Sequence, residues 1–414
     1  MRKSTQYGSR HCSVPRRPGA VGGWAPDAPT RRRGSATVIV VLVAVVSRTM
    51  RILVDAAPVK VGGGGICTYL TGLLRGWGVA GFEDEWTVVG TAALPMEIDG
   101  LLNGRGKTRR GIGGRVPAQK HIIQQAYIPL KTCLGKARPD VVLCTTPVIP
   151  LTSLPVPIVA LVHDLRYLAH PAEYSVLQRL YRNRTYGRGM RRADRLMAIS
   201  RATSDAVERE IGRRPHVVPL GADHVDQWPK ADPAGHGIAF AHWTNKRPEV
   251  AIRAWGILRK HDSRFSSMLH VVGCPSGRRP ELIRLAMEHG VGDVVRVHEF
   301  LPEVEYQRLF RTASVVLMPS SLEGFGLPVV EAMRSGIPVV ATDDPGLREA
   351  GGDVALYVAA GSAESFALHY ESLSGDDARR AALVEGGLER ARAFTWERTA
   401  QMTRKVLADA AGKT

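Results

Sequence analysis

From Met50 onward, short runs of Val, Ile, Leu and Ala alternate with turns and with longer stretches whose apolar residues recur at helical spacing. Arg51–Asp55 (RILVD) predicts a first strand and Ile66–Gly76 an amphipathic helix, joined through the glycine run of VGGGG. Trp86–Gly90, Pro139–Cys144, Pro157–Val162 and Arg195–Ile199 predict further strands. These runs are apolar throughout rather than alternating, which marks strands covered on both faces in a parallel sheet. A basic helix is expected over about Ser175–Arg192. Asn103–Gly114 (NGRGKTRRGIGG) reads as a basic, glycine-rich loop without periodicity.

The pattern pauses after His216–Gly221 (HVVPLG), in a polar linker over Ala222–Gly237, and then restarts. Gly237–Ala241, Met268–Gly273, Val294–Val297, Ser314–Met318 and Pro338–Thr342 predict strands, and Arg247–Lys260 a helix. The fold class is therefore α/β: two doubly wound, Rossmann-like halves joined near residues 222–236. Ligands of such sheets sit outside the carboxyl ends of the strands, so two facing halves would share one cleft. The expected division is 1–49 as an N-terminal segment, 50–222 as a first domain and 223–395 as a second. A last helix, 396–414, is expected to return to the first domain.

Charge and cysteine content narrow the class. The 414 residues carry a formal charge of +17. Much of that excess lies before Met50, where nine Arg or Lys face one Asp. The body shows no basic surface interleaved with base-stacking aromatics, so no nucleic acid partner is expected. An anionic small molecule or an anionic membrane surface suits the remaining charge. The five cysteines are scattered without a C-x-x-C pair, which points away from a disulfide framework or zinc site and towards a reducing, cytoplasmic compartment. Ala36–Val46 (ATVIVVLVAVV) is apolar but short for a membrane span, which needs about 20 residues. Residues 1–49 are read as a disordered or over-extended start, with a membrane tether as the alternative.

The chemistry concentrates in Ser321–Ala332, SLEGFGLPVVEA. A strand ends before it, two glycines flank Phe325, and Pro328 suits the first turn of a helix. A helix start offers unpaired N–H groups to phosphate or sugar oxygens, and glycine lets backbone approach a ligand. Glu331 could accept from a vicinal diol, and Glu323 could face a sugar. The residues alone leave open a helix start that carries acids for dipole reasons only.

The run P-S-x-x-E-G-F-G-L-P-x-x-E-A-M-x-x-G-x-P-V-V-A resembles the signature of the family 4 retaining glycosyltransferases, which have the two-domain GT-B fold. VVPLGAD (Val217–Asp223), DRLMAIS (Asp194–Ser200) followed by Ser204, LVHDL (Leu161–Leu165) and FTWERTA (Phe394–Ala400) are similar to further segments of that family. The resemblance implies that Glu331 binds the nucleotide ribose and that Glu323 and His163 lie beside the donor sugar. It implies that backbone N–H groups of Phe325, Gly326 and Leu327 meet sugar hydroxyls or diphosphate. Lys246 would neutralise the leaving diphosphate, and Gly64 and Gly65 would approach it. Many family members carry an arginine shortly before the lysine; here the strand end reads Phe240-Ala241-His242-Trp243, so the clamp would rest on Lys246 or borrow Arg247. The pair Asp343-Asp344 reads as a strand-end loop, and no metal cofactor is expected.

The function implied is transfer of a sugar from a nucleotide-sugar co-substrate, with GDP-mannose as first donor, to a hydroxyl acceptor with retention. Cell-envelope polysaccharide, glycolipid and natural-product acceptors are open, as is peripheral contact with an anionic membrane at its inner face. A GT-B epimerase or phosphorylase, and a non-enzymatic two-lobed sugar-binding protein, are the competing readings.

Overall fold

The structure is a computed structural model that describes residues 49–59, 64–110, 122–134, 138–232 and 234–413. The expectations placed on residues 1–48, on the glycines at 62–63 and on 111–120 of the basic tract lie outside these.

Two all-parallel sheets carry the chain. The first contains β1 (Arg51–Asp55), β2 (Glu85–Gly90), β3 (Gly106–Arg110), β4 (Val141–Cys144), β5 (Ile158–Val162), β6 (Arg195–Ala198) and β7 (His216–Val217), in the order β3-β2-β1-β4-β5-β6-β7. The second contains β8 (His236–Phe240), β9 (Leu269–Val272), β10 (Val295–Val297), β11 (Ala313–Met318), β12 (Val339–Thr342) and β13 (Leu356–Val358), in the order β10-β9-β8-β11-β12-β13. In both sheets the winding reverses beside the first strand, between β1 and β4 and between β8 and β11. That reversal is the Rossmann switch point, where neighbouring loops splay apart and open a crevice. The register places Asp55 opposite Cys144, the last residues of β1 and β4, so these strand ends share one rim.

One expectation is corrected. Part of Asn103–Gly114 is not loop but β3, paired in parallel with β2 from Gly106 to Arg110. An edge strand needs partners on one side only and no apolar face, so its polar sequence hides it. Arg110 ties it down, with 2.8 Å to Asp99 and a hydrogen bond to Pro95 O. The short β13 was also not anticipated.

The interior is divided by the sheets. One apolar cluster lies under the second sheet's outer helices, around Trp255, Leu269 and Phe366. Another covers one face of the first sheet, around Val142, Ala160 and Met190. The largest runs through both halves, from Ile52 and Leu73 through Ile199 and Leu220 to Phe325, Val330 and Trp396.

Trp396 heads the last helix, Trp396–Ala411, which lies on the helix Gly65–Val79 of the first half. The approach is close because small residues line it: a Cβ on Gly76 would stand 2.0 Å from Trp396 O, and one on Gly72 2.2 Å from its ring. Farther along, Arg404 forks onto the fully buried Asp84 at 2.7 and 3.2 Å, and Lys413 reaches Asp140 at 2.8 Å. Asp84 also accepts from the Met50 amide, so this buried carboxylate has partners for both oxygens.

Candidate functional site

The strand ends of the two sheets meet at a polar seam. The loop after β11 turns at Gly324 and Gly326 and enters the helix Leu327–Arg334, with Gly326 at its N-cap (φ 92°) and Pro328 in its first turn. A side chain at Gly324 is excluded by the other half: its Cβ would lie 2.0 Å from His163 O, at the end of β5. Ser200 Oγ donates to Gly324 O, and Thr203 Oγ1 lies 3.2 Å from both Gly324 O and His163 O. The amides of Phe325, Gly326 and Leu327 have no hydrogen-bond acceptor among the described residues, as expected of a helix start. The Phe325 side chain is buried against Phe394, at 5.5 Å between ring centroids.

Glu323 and Lys246 are brought together. Lys246 closes a short 3-10 turn, Thr244–Lys246, ahead of the helix Pro248–His261 rather than within it. Its Nζ lies 2.6 Å from Glu323 Oε1, with both side chains largely buried. Asn245 Nδ2 donates to Leu322 O at 2.8 Å and approaches Glu323 Oε1 at 3.4 Å. Arg247 takes the left-handed conformation (φ 46°) at the N-cap, and its guanidinium engages Glu249 at 3.5 Å.

His163 lies with its ring edge-on to Tyr69, 5.9 Å between centroids. Its Nε2 is 3.0 Å from Thr145 O, a pure acceptor, so Nε2 carries the proton and Nδ1 is left as the acceptor. Burial holds its pKa below the usual histidine range, against the opposing effects of Thr145 and Asp164. The neutral ring is thus the resting form.

Glu331 is 5% exposed on the inner face of its helix. Its Oε1 lies 3.1 Å from His224 Nε2, and His224 Nδ1 accepts from Trp396 Nε1 at 3.0 Å. The indole can only donate, which fixes the His224 tautomer and aims its Nε2–H at the carboxylate. Gly64 and Gly65 are exposed at the start of the helix Gly65–Val79, Gly64 at φ 69°, with open space where a Cβ would be.

Asp344 caps the helix Pro345–Gly351 through the amides of Gly346 and Leu347, and Asp343 pairs with Arg348. Burial raises the Asp344 carboxyl to about 6. Among the described residues no group of three or more His, Cys, Asp or Glu is arranged to hold a metal ion.

Several residues at the seam escaped sequence reading. Arg166, just after LVHDL, donates to Asn245 Oδ1 across the two halves, and its Nε lies 3.4 Å from Glu173. Glu173 in turn accepts from Thr244 Oγ1 at 3.1 Å. Glu349 of the second half accepts from the Arg201 and Ala202 amides, which start the helix Arg201–Ile211 of the first. These pairs are far apart in sequence, so nothing local announces them. His224 had a signal, since it directly follows VVPLGAD.

Residues 242–390 match the family described as "Glycosyl transferases group 1", and residues 63–225 match "Glycosyltransferase Family 4". Similar proteins include the D-inositol 3-phosphate glycosyltransferases of Corynebacterium aurimucosum, 36% identical over 40% of each chain, and of Rhodococcus opacus, 34% identical over 50% of this chain and 51% of that one. The chain spans about half or less of the length of these curated relatives. Among solved structures, a sucrose-phosphate synthase from Thermosynechococcus elongatus superposes over 89% of this chain and all of its own, with a TM-score of 0.66 at 18% identity. Anabaena HepE in complex with UDP-glucose does so over 87% of this chain and all of its own, with the same TM-score at 18% identity.

Proposed function

Since the chain belongs to the family 4 glycosyltransferases of GT-B fold, we propose that it moves a sugar from a nucleotide-sugar donor to a hydroxyl acceptor with retention of configuration. The observation that carries this reading is the Lys246–Glu323 contact of 2.6 Å beside the Gly324–Gly326 turn, whose Gly324 packs against the His163 carbonyl from the other sheet. A buried cation beside free helix-start amides suits a diphosphate leaving group, because donors fixed in place stabilise developing charge without reorganising. Glu331, oriented by His224, suits the ribose diol, and Glu323 the donor sugar. The open backbone at Gly64 and Gly65 suits approach to the diphosphate, and Arg247 is a further candidate cation.

In this reading the two carboxylates do different work. No double displacement across one bond is implied, unlike the paired carboxylates of retaining glycosidases. The acceptor hydroxyl attacks on the face from which the diphosphate departs, through an oxocarbenium-like state, and its proton passes to the departing phosphate oxygen. Contact between the halves excludes water and so limits donor hydrolysis.

GDP-mannose is the first donor to test, and UDP-glucose, named with Anabaena HepE, is the second. The similar D-inositol 3-phosphate glycosyltransferases favour a phosphorylated acceptor in the test set. The helix Val176–Arg192 exposes Val176 and Leu177 beside Arg179, a face suited to a lipid-linked acceptor or an anionic bilayer. The test is incubation with a panel of UDP- and GDP-sugars, with and without acceptors, followed by quantitation of released nucleoside diphosphate. Release is expected with one donor and is expected to rise with its acceptor. No release from any donor would reject the transferase reading.

A further inference from the structure

Resting on the nucleotide-sugar reading above, we propose that Arg166 is a diphosphate-binding residue supplied by the first half of the molecule, so that the donor site is complete only where the two halves touch. A diphosphate carries more than one negative charge and is best met by more than one cation. Lys246 alone does not suffice, because Glu323 at 2.6 Å already balances it. Arg247 and Arg166 each have a carboxylate close by, Glu249 at 3.5 Å and Glu173 at 3.4 Å. Of the two, Arg166 is the one that the first half supplies, and its side chain is the more buried, 12% against 40% exposed.

Its surroundings hold the guanidinium ready. Arg166 opens the short helix Arg166–Ala169 that follows β5, three residues beyond His163, and its side chain is 12% exposed. It lies within reach of two aromatic rings, 5.5 Å from the Tyr174 centroid and 5.7 Å from that of Trp243, which belongs to the second half. Nε is fixed by Tyr174 OH at 2.8 Å and by Glu173, and Nη1 by Asn245 Oδ1. Nη2 has no protein acceptor among the described residues, although two of the three nitrogens are held. An arginine with a locked plane and a spare N–H is preorganised for a phosphate oxygen.

Position supports the same role. Asn245, which receives Nη1, immediately precedes Lys246, and its own amide approaches the Glu323 oxygen that binds Lys246. Arg166, Asn245, Glu323 and Lys246 therefore form one connected group. The nearby His242 ring feels both cations: burial first, then the charges of Lys246 and Arg166, bring its pKa down to about 3. A merely structural latch would not need a free Nη2.

The test is calorimetric titration of the full chain with UDP, GDP, uridine and guanosine. For Arg166→Ala, the affinity for whichever nucleoside diphosphate binds the parent is expected to fall by about ten- to a hundredfold, the range of a charge-assisted hydrogen bond. Affinity for the matching nucleoside is expected to stay within about twofold, since loss of one side chain at the phosphates leaves base and ribose contacts alone. Equal losses for nucleoside and diphosphate, or no loss for either, would overturn the assignment. Retained nucleoside binding doubles as the check on folding. If Arg166→Ala does not fold, Arg166→Lys decides by the same ratio, with a smaller selective loss expected and an unchanged diphosphate affinity overturning the proposal. Failure of the parent protein to bind either UDP or GDP would instead reject the nucleotide-sugar reading on which this inference rests.

Discussion

Asp55 shows how a single residue at the site's rim trades stability for position. It ends β1, is fully buried, and receives the Ala57 amide at 3.0 Å and Gln124 Nε2 at 2.8 Å. Burial outweighs these bonds and pushes its carboxyl from 3.8 up to about 6. The folded protein therefore keeps a proton that the unfolded chain releases between those values. The contribution is fully present below the unfolded pKa, is lost as pH rises through about 6, and stays lost above it. Asp55→Asn keeps the side-chain shape without the charge. It is expected to add on the order of 2 kcal/mol of stability at pH 7.5 and to flatten the loss between about pH 4 and 6. Urea unfolding of both proteins from pH 4 to 8 measures this, and an unchanged slope would refute it. His163 runs the other way: with its pKa lowered by burial, it opposes protonation as the pH falls below the usual histidine value.

Among the elements, the last helix is the one whose packing can be tested most cleanly. Trp396 is wedged against Gly72 and Gly76, and it also steers Glu331 through His224. A Cβ at Gly76 would meet backbone of Trp396 at 2.0 Å, whereas one at Gly78 on the same helix meets nothing within 4 Å. Gly76→Ala is therefore expected to cost about 1–3 kcal/mol, the range for overpacking. Gly78→Ala should stabilise by up to about 1 kcal/mol, because alanine is the better helix former. Paired thermal melts decide it, and similar shifts in both variants would mean that the helix is not seated as described. The elements also show what pattern reading can and cannot find. Strands such as Pro157–Val162 and Pro338–Thr342 were legible because burial on both faces leaves an unbroken apolar run. β3 was not, because an edge strand of Gly, Lys, Thr and Arg carries no such mark. Helix ends shifted by a residue or more where capping decides them, as at Ser175, whose hydroxyl and Gln178 form a reciprocal cap.

Across the whole molecule, the two halves and their strand-end seam followed from a pattern that stops and restarts near residue 222. The carboxylate-bearing turn was legible because its residues are local: SLEGFGLPVVEA holds both acids and both glycines. The contacts that join the halves were not. Arg166 with Asn245, Glu173 with Thr244 and Glu349 with the start of Arg201–Ile211 are each paired across many intervening residues. Their partners are set by how two sheets face each other, which no window of sequence contains. The central claim is that the helix start at Gly326, with Glu331 one turn inside it, is a nucleotide site. The most direct test is the affinity of the full chain and of Glu331→Ala for UDP and GDP by calorimetry. The account predicts that the parent binds at least one of them and that the variant binds it about tenfold or more weakly, the cost of losing hydrogen bonds to a charged acceptor. Binding that survives Glu331→Ala unchanged would contradict it.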